Sequence, residues 1–142
     1  MNQQDKELLL KDLCVRLPYG VKVEFRVGDN VPDIRIFTGK DYDYLKTYHY
    51  IDEFTNCTFK PYLRPLSSMT EEERADMGEA ILKDKIEPWG EIKSSGVDNL
   101  LLCSSRQASN LIDWFNRYHF DYRGLIEKGL AIEASEGMYN IN

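Results

Sequence analysis

Val21-Lys22-Val23-Glu24-Phe25-Arg26-Val27 decides the fold class of this chain, because apolar and charged residues alternate along the whole stretch. Successive side chains of a strand point to opposite faces, so the alternation predicts a β-strand with one buried and one wet face. Gly28-Asp29-Asn30 is typical of a turn, and Ile34-Arg35-Ile36-Phe37 resumes the apolar pattern after Pro32-Asp33. The stretch therefore predicts an antiparallel hairpin.

A helical pattern precedes the hairpin. Residues from about Gln4 to Arg16 place leucines at helical spacing, and Pro18-Tyr19-Gly20 is a typical helix stop. The predicted buried stripe consists of Leu9, Leu10, Leu13 and Leu17.

Two further helices are predicted after the hairpin, each opened by a capping box in which a hydroxyl and a side chain three residues later satisfy free N–H groups. Thr70 and Glu73 start a helix that runs to about Ile86. Ser104 and Gln107 start another that runs to about His119. The expected buried stripe of this last helix is Ala108, Leu111, Ile112 and Phe115.

Two more strands complete the predicted sheet. Tyrosines of shared parity, from Tyr42 to Tyr50, favour a third strand around residues 46–54, and Leu130 and Ile132 favour a short strand over 129–134. The segment 60–69 contains two prolines, which predict a connector or an edge and neither a helix nor a central strand.

Length and composition set the number of domains. With 142 residues, of which 42% are hydrophobic, the chain has enough apolar material for one core and too little for two. We therefore predict a single α+β domain over residues 1–142, with about three helices packed on one face of a small, mostly antiparallel sheet.

Charge and cysteine usage exclude several classes of function. The net charge of −6 is concentrated in residues 70–91, which hold eight acidic and three basic residues, so a general nucleic-acid binder is not expected. The polar N-terminus and the lack of a long apolar run predict a cytoplasmic protein that does not contact a membrane. Cys14, Cys57 and Cys103 are isolated, so we expect no metal, no cofactor and no disulfide framework.

The chain has two histidines, His49 and His119, and neither belongs to a catalytic motif. The sequence leaves open whether the fold brings Cys103, His119 and Asp121 together as a nucleophile, base and orienting group. The simpler expectation is that His119, near a helix C-terminus, interacts favourably with the helix dipole when protonated.

Three blocks carry a resemblance to a known group of proteins: residues 8–21, residues 60–70 with Lys60-Pro61-Tyr62-Leu63-Arg64-Pro65-Leu66, and residues 120–134 with Phe120-Asp121-Tyr122-Arg123-Gly124. In these blocks the chain resembles small uncharacterised proteins of anaerobic gut bacteria and their phages. The resemblance implies an accessory role in a bacterial or phage genome and carries no activity, ligand or site.

We predict a non-enzymatic accessory or interaction protein; the alternative is a small enzyme whose site only the fold assembles. The candidate partner-binding residues are Tyr62, Arg64, Tyr122 and Arg123, because tyrosine and arginine are enriched at protein interfaces. Intramolecular packing and nucleic-acid binding are the other interpretations of these residues. A flat apolar patch would favour the interaction protein, and a deep pocket with a histidine beside a carboxylate or Cys103 would favour the enzyme.

Overall fold

The computed structural model describes residues 2–47, 57–82 and 105–139, and these hold four helices and a four-stranded mixed sheet. The elements are α1 (Gln3–Arg16), β1 (Lys22–Val27), β2 (Asp33–Ile36), α2 (Gly39–Thr47), β3 (Cys57–Leu63), α3 (Glu71–Leu82), α4 (Ser105–Arg117) and β4 (Ile132–Glu133). Short 3-10 turns cover Leu17–Tyr19 and Leu66–Ser68. The α+β fold class is confirmed.

The sheet has the order β2-β1-β3-β4. Strand β1 pairs antiparallel with both β2 and β3, whereas β4 runs parallel to β3. In this register Val23 lies opposite Arg35 on one side and Pro61 on the other. The predicted hairpin is confirmed, and the sheet is mostly antiparallel, as the sequence indicates.

Helix α1 forms as predicted. The Asn2 side chain accepts a hydrogen bond from Asp5 N at 2.8 Å and so caps the first turn. Leu9 and Leu13 are buried against the sheet face that carries Val23, and α2 packs beside them. The core consists of Leu9, Leu13, Val21, Val23, Phe37, Leu45, Phe59, Leu63, Leu125, Leu130 and Ala131.

The predicted third strand is wrong over its first residues, because residues 39–47 form helix α2. Asp41 accepts a hydrogen bond from Thr38 N at 3.0 Å and from Thr38 Oγ1 at 3.2 Å, which satisfies a free donor where the helix begins. Thr38 and Asp41 have capping-box spacing, a signal that the tyrosine parity obscured. Residues 48–56, which include the rest of the predicted strand, lie outside the described residues.

The prediction that prolines exclude a central strand over residues 60–69 is also wrong, because Pro61 lies in β3 between β1 and β4. Phe37 N donates to Val21 O at 2.9 Å. Hydrogen-bonded and non-bonded pairs alternate along an antiparallel ladder, so Val23, two residues further on, also directs its N–H and C=O groups toward β2. Pro61, opposite Val23, therefore needs no N–H for β1. Among the described strands, β4 pairs with β3 from position 62 onwards, so the proline nitrogen faces no partner there either.

Helix α3 begins with the predicted capping box. Glu73 N donates to Thr70 Oγ1, and Thr70 N donates to Glu73 Oε1, both at 3.1 Å. The structure describes this helix as far as Leu82. The short strand predicted over 129–134 is reduced to Ile132–Glu133, beside the buried Leu130.

Helix α4 exists as predicted, and Leu111 of the expected stripe is buried, but the other three residues of that stripe are not. Its buried residues are Gln107, Leu111, Trp114 and Asn116, whereas Ala108 and Ile112 are exposed and Phe115 is half-buried. Trp114 stacks on Phe120 with ring centroids 5.5 Å apart and donates from Nε1 to Asp76 on α3 at 2.9 Å. These contacts with Phe120 and Asp76 hold the Trp114 side chain on the buried side of α4. Ser104, the predicted cap, lies outside the described residues.

Candidate interaction surfaces

A buried ion pair joins α1 to the turn after α4. Asp12 and Arg16 are four residues apart on one face of α1, and both are 0% exposed. Arg16 Nε donates to Asp12 Oδ2 at 2.8 Å, and Arg16 Nη2 donates to Phe120 O at 2.7 Å. The pair lies on the leucine side of the helix, so the signal in the sequence was a charged pair with i,i+4 spacing beside the apolar stripe.

The predicted contact residues Tyr122 and Arg123 are attached to this pair. Arg123 Nε lies 3.3 Å from Asp12 Oδ1, within ion-pair distance, but the geometry does not meet that of a hydrogen bond. Arg123 Nη2 donates to Tyr122 Oη at 3.2 Å, and Tyr122 Oη donates to Asn116 Oδ1 at 2.9 Å. Burial raises the pKa of the Asp12 carboxyl, and the charges of Arg16 and Arg123 oppose that shift.

Arg64 lies beside the same turn. Its backbone N–H donates to His119 O, and its carbonyl accepts from Asp121 N, both at 2.8 Å. Its guanidinium makes two bonds to Glu73, at 2.6 and 2.7 Å, and lies 4.2 Å from the centre of the Phe120 ring. The hydrogen bond from Arg64 lowers the pKa of the Glu73 carboxyl.

The fold thus brings the end of β3 next to the turn after α4, and with them the segments of all four predicted contact residues. Tyr62 is 9% exposed, whereas the other three are half-buried. The charged groups of Arg64 and Arg123 are held by carboxylates of this chain. Their role in binding a partner stays a prediction.

His119 is 5% exposed and stacks on Tyr139, with ring centroids 3.8 Å apart and an interplanar angle of 18°. Burial, aided by the charges of Arg16, Arg64 and Lys22, lowers the pKa of His119 to about 3. The expectation of a protonated histidine interacting with the helix dipole is therefore wrong, because the imidazole is neutral near pH 7. Its Nδ1 atom has no hydrogen-bond partner within the described ranges.

Asp121, the orienting group of the possible triad, accepts hydrogen bonds from two backbone amides. The donors are Leu125 N and Ile126 N, each at 2.9 Å, and they place the carboxylate across the following turn. Cys103 lies outside the described residues. Of the possible triad, the structure describes His119 and Asp121, and the Asp121 carboxylate stabilises the turn over residues 121–126.

Tyr139 closes the end of the sheet between β1 and β3. Its hydroxyl accepts a hydrogen bond from Lys22 N at 2.9 Å and donates one to Tyr62 O at 2.7 Å. Lys22 and Tyr62 would be the next pair of the ladder after Val23 and Pro61, so the phenol bridges two strands where a direct bond would otherwise form. Burial raises the pKa of Tyr139 to about 12, so this hydroxyl keeps its proton.

Strand β2 is an edge strand of the sheet and carries an exposed apolar surface. Ile34 and Ile36 are each 54% exposed, and Val31, just before the strand, is 91% exposed. We call Val31, Ile34 and Ile36 the edge patch. Since Phe37 N bonds to Val21 O, the backbone N–H and C=O groups of Ile34 and Ile36 point away from β1. No other described strand pairs with them on that side.

A shallow groove of about 320 Å³ lies between α1 and Tyr42 of α2. It is lined by Glu7, Leu10, Lys11, Cys14, Val15 and Tyr42. The lining contains an exposed thiol and no histidine, so the groove does not provide the pocket that would favour an enzyme.

Among residues 2–47, 57–82 and 105–139, no group of three histidine, cysteine or acidic side chains is arranged to hold a metal ion. Within the same ranges, no helix is long and apolar enough to cross a membrane. Comparison of the chain with protein-family models, curated proteins and solved structures gave no match.

Proposed function

We propose that the protein is a non-enzymatic interaction module that binds a protein partner along strand β2. The observation that supports this proposal most directly is the edge patch, which combines exposed apolar side chains with outward-facing backbone groups. Natural proteins usually protect such edges with charge, proline or a covering segment, because an open edge is a template for strand pairing. Here Pro32 stands just before the strand, and Ile34 and Ile36 lie within it.

The surroundings of the edge patch suit a protein interface. On the same face of the sheet, Ile36 lies opposite Lys22 and Ile34 lies opposite Glu24. An apolar centre with charged neighbours is the usual arrangement of such interfaces. In strand addition, main-chain hydrogen bonds supply affinity and alternate side chains supply specificity.

The environment of His119 supports the same proposal. A general base must come within hydrogen-bond reach of its substrate, directly or through one water molecule. The His119 ring is buried beneath Tyr139, and this burial, with the nearby cations, lowers its pKa and keeps the ring neutral. Both features favour a structural role for this side chain over catalysis.

The sequence resemblance supports an accessory role in a bacterial or phage genome, and we place the protein in the cytoplasm as part of the same proposal. Partner contact through Tyr62, Arg64, Tyr122 and Arg123 is a second component of it. The support for this component is that Arg64, Tyr122 and Arg123 are half-buried and lie on segments that the fold joins, since Arg64 bonds to His119 and Asp121 on either side of Phe120; Tyr62 is buried two residues earlier in β3.

Site-specific photo-crosslinking tests the proposal. A benzophenone amino acid at position 36 should capture a protein in extracts of the native host, whereas the same group at the exposed position 113 on α4 should not. Ile34→Lys should abolish capture at position 36 without changing the melting temperature, because this side chain is largely exposed. Equal capture from both positions, or capture that survives Ile34→Lys, would contradict the proposed surface.

A further inference from the structure

The parity of strand β2 restricts how another strand can pair with it. Its outward-facing residues are even-numbered, so an antiparallel partner must place its own outward-facing residues opposite them. A second copy related by a two-fold axis can be centred on any residue of β2, but an axis at Asp33 or Ile36 pairs only one strand residue of each copy, whereas two registers pair three. One is centred on Ile34 and the other on Arg35.

Hydrogen bonds do not separate these two registers, because each allows four across the interface. In the register centred on Arg35, Ile34 of each copy exchanges two hydrogen bonds with Ile36 of the other copy. In the register centred on Ile34, the two Ile34 residues exchange two hydrogen bonds. In addition, the Ile36 N–H of each copy donates to the Pro32 carbonyl of the other copy, which can accept although proline has no N–H to return.

Charge separates the registers. The axis at Arg35 places two guanidinium groups directly opposite each other, and like charges in that position are destabilising. The axis at Ile34 places Asp33 opposite Arg35 twice, on the sheet face opposite to the isoleucines. Asp33 is exposed and makes no ion pair with any described residue. The Arg35 guanidinium lies 4.4 Å from the centre of the Phe25 ring and binds Asp41 through Nη2 at 2.7 Å, and 39% of the Arg35 side chain stays exposed to a second carboxylate.

We propose that β2 pairs with β2 of a second copy of this chain, antiparallel and centred on Ile34, so that one sheet continues across the dimer. This proposal rests on the proposed function, since it names the occupant of the edge patch. The Ile34 residues of the two copies meet at the centre of the contact, and Asp33 of each copy lies opposite Arg35 of the other copy. The paired segment is short, so the dimer is weak, with a Kd of about 10⁻⁴ M.

Sedimentation equilibrium of the full chain from about 10 µM to 1 mM tests the pairing. The wild type should shift from monomer to dimer, and Ile34→Lys should remain monomeric because two lysines would face each other at the axis. Ile34→Val is the matched control and should dimerise. Asp33→Arg places two pairs of like charges across the axis and should raise the Kd roughly tenfold.

Mixing two variants tests the register. Arg35→Glu alone should also weaken self-association, but Asp33→Arg mixed with Arg35→Glu restores both opposite-charge pairs and should form a heterodimer. Melting curves verify that each variant is folded. If Arg35→Glu does not fold, the comparison of Ile34→Lys with Ile34→Val still decides whether the edge pairs.

Two outcomes overturn the proposal. One is a wild-type chain that stays monomeric up to about 1 mM; the other is an Asp33→Arg variant that dimerises as the wild type does. Neither affects the crosslinking test, because capture of a different protein at position 36 would still support an interaction module. Loss of that capture together with a measured dimer would refute the binding of another protein and retain self-pairing.

Discussion

Lowering the pH should destabilise the protein through His119, because the folded state holds this ring neutral. Its pKa falls from the ordinary 6.5 to about 3 on folding. The unfolded chain therefore binds a proton between these values while the folded chain does not, so stability is lost as the pH falls through 6.5. With 1.36 kcal/mol per pKa unit, acidification from pH 7.5 to pH 5 should cost about 2 kcal/mol.

Urea unfolding across this pH range measures the effect, and His119→Asn isolates it. Asparagine is the suitable replacement because residue 119 has a φ of 63°, a left-handed conformation that asparagine tolerates. The variant should have lower stability at pH 7.5, because the stacking on Tyr139 is lost, but a flatter dependence on pH. The lowered pKa of Glu73 affects stability below its ordinary value of 4.5, outside this range.

Parallel stability curves for the wild type and His119→Asn between pH 7.5 and pH 5 would refute this reasoning. An NMR titration gives an independent result. The ring protons of His119 should not titrate above pH 4.5, and a midpoint near 6.5 would show that the ring is accessible to water.

Three further predictions follow from the packing. Leu111→Ala should lower the free energy of unfolding by roughly 2–5 kcal/mol, whereas Ile112→Ala should change it by less than about 0.5 kcal/mol; equal losses in urea unfolding would mean that the helix phase is different. Glu73→Gln should lower the melting temperature, because it weakens both a cap and a bidentate arginine pair, and unchanged melting would show that neither contributes. Tyr139→Phe should cost roughly 1–3 kcal/mol and accelerate hydrogen exchange at the Lys22 amide, whereas unaltered exchange would exclude the hydroxyl bridge.

Local patterns in the sequence were sufficient for part of the fold. The alternation over residues 21–27 predicts β1, since a strand exposes successive side chains to opposite faces. The leucine spacing and the stop at Gly20 predict α1, and the Thr70–Glu73 capping box predicts the start of α3. Each of these signals lies within a few residues of the feature it specifies.

The candidate site was only partly predictable. Tyrosine and arginine enrichment indicated the region where the end of β3 meets the turn after α4, and the fold brings these segments together. The sequence did not show that Arg64 and Arg123 are already paired with Glu73 and Asp12, since the choice of partner depends on distances between separate segments. The edge patch was missed because Ile34 and Ile36 have the same pattern whether their face is covered or open.

The sequence by itself determined the hairpin and the helices α1, α3 and α4, because turn chemistry, capping and side-chain periodicity act within a few residues. The tertiary structure decided which faces those segments bury. Pro61 is tolerated in a central strand because its neighbour β1 sets the hydrogen-bond parity, and Trp114 sets the phase of α4 by stacking on Phe120. The neutral state of His119 likewise results from burial and from cations on other segments, which proximity along the chain cannot reveal.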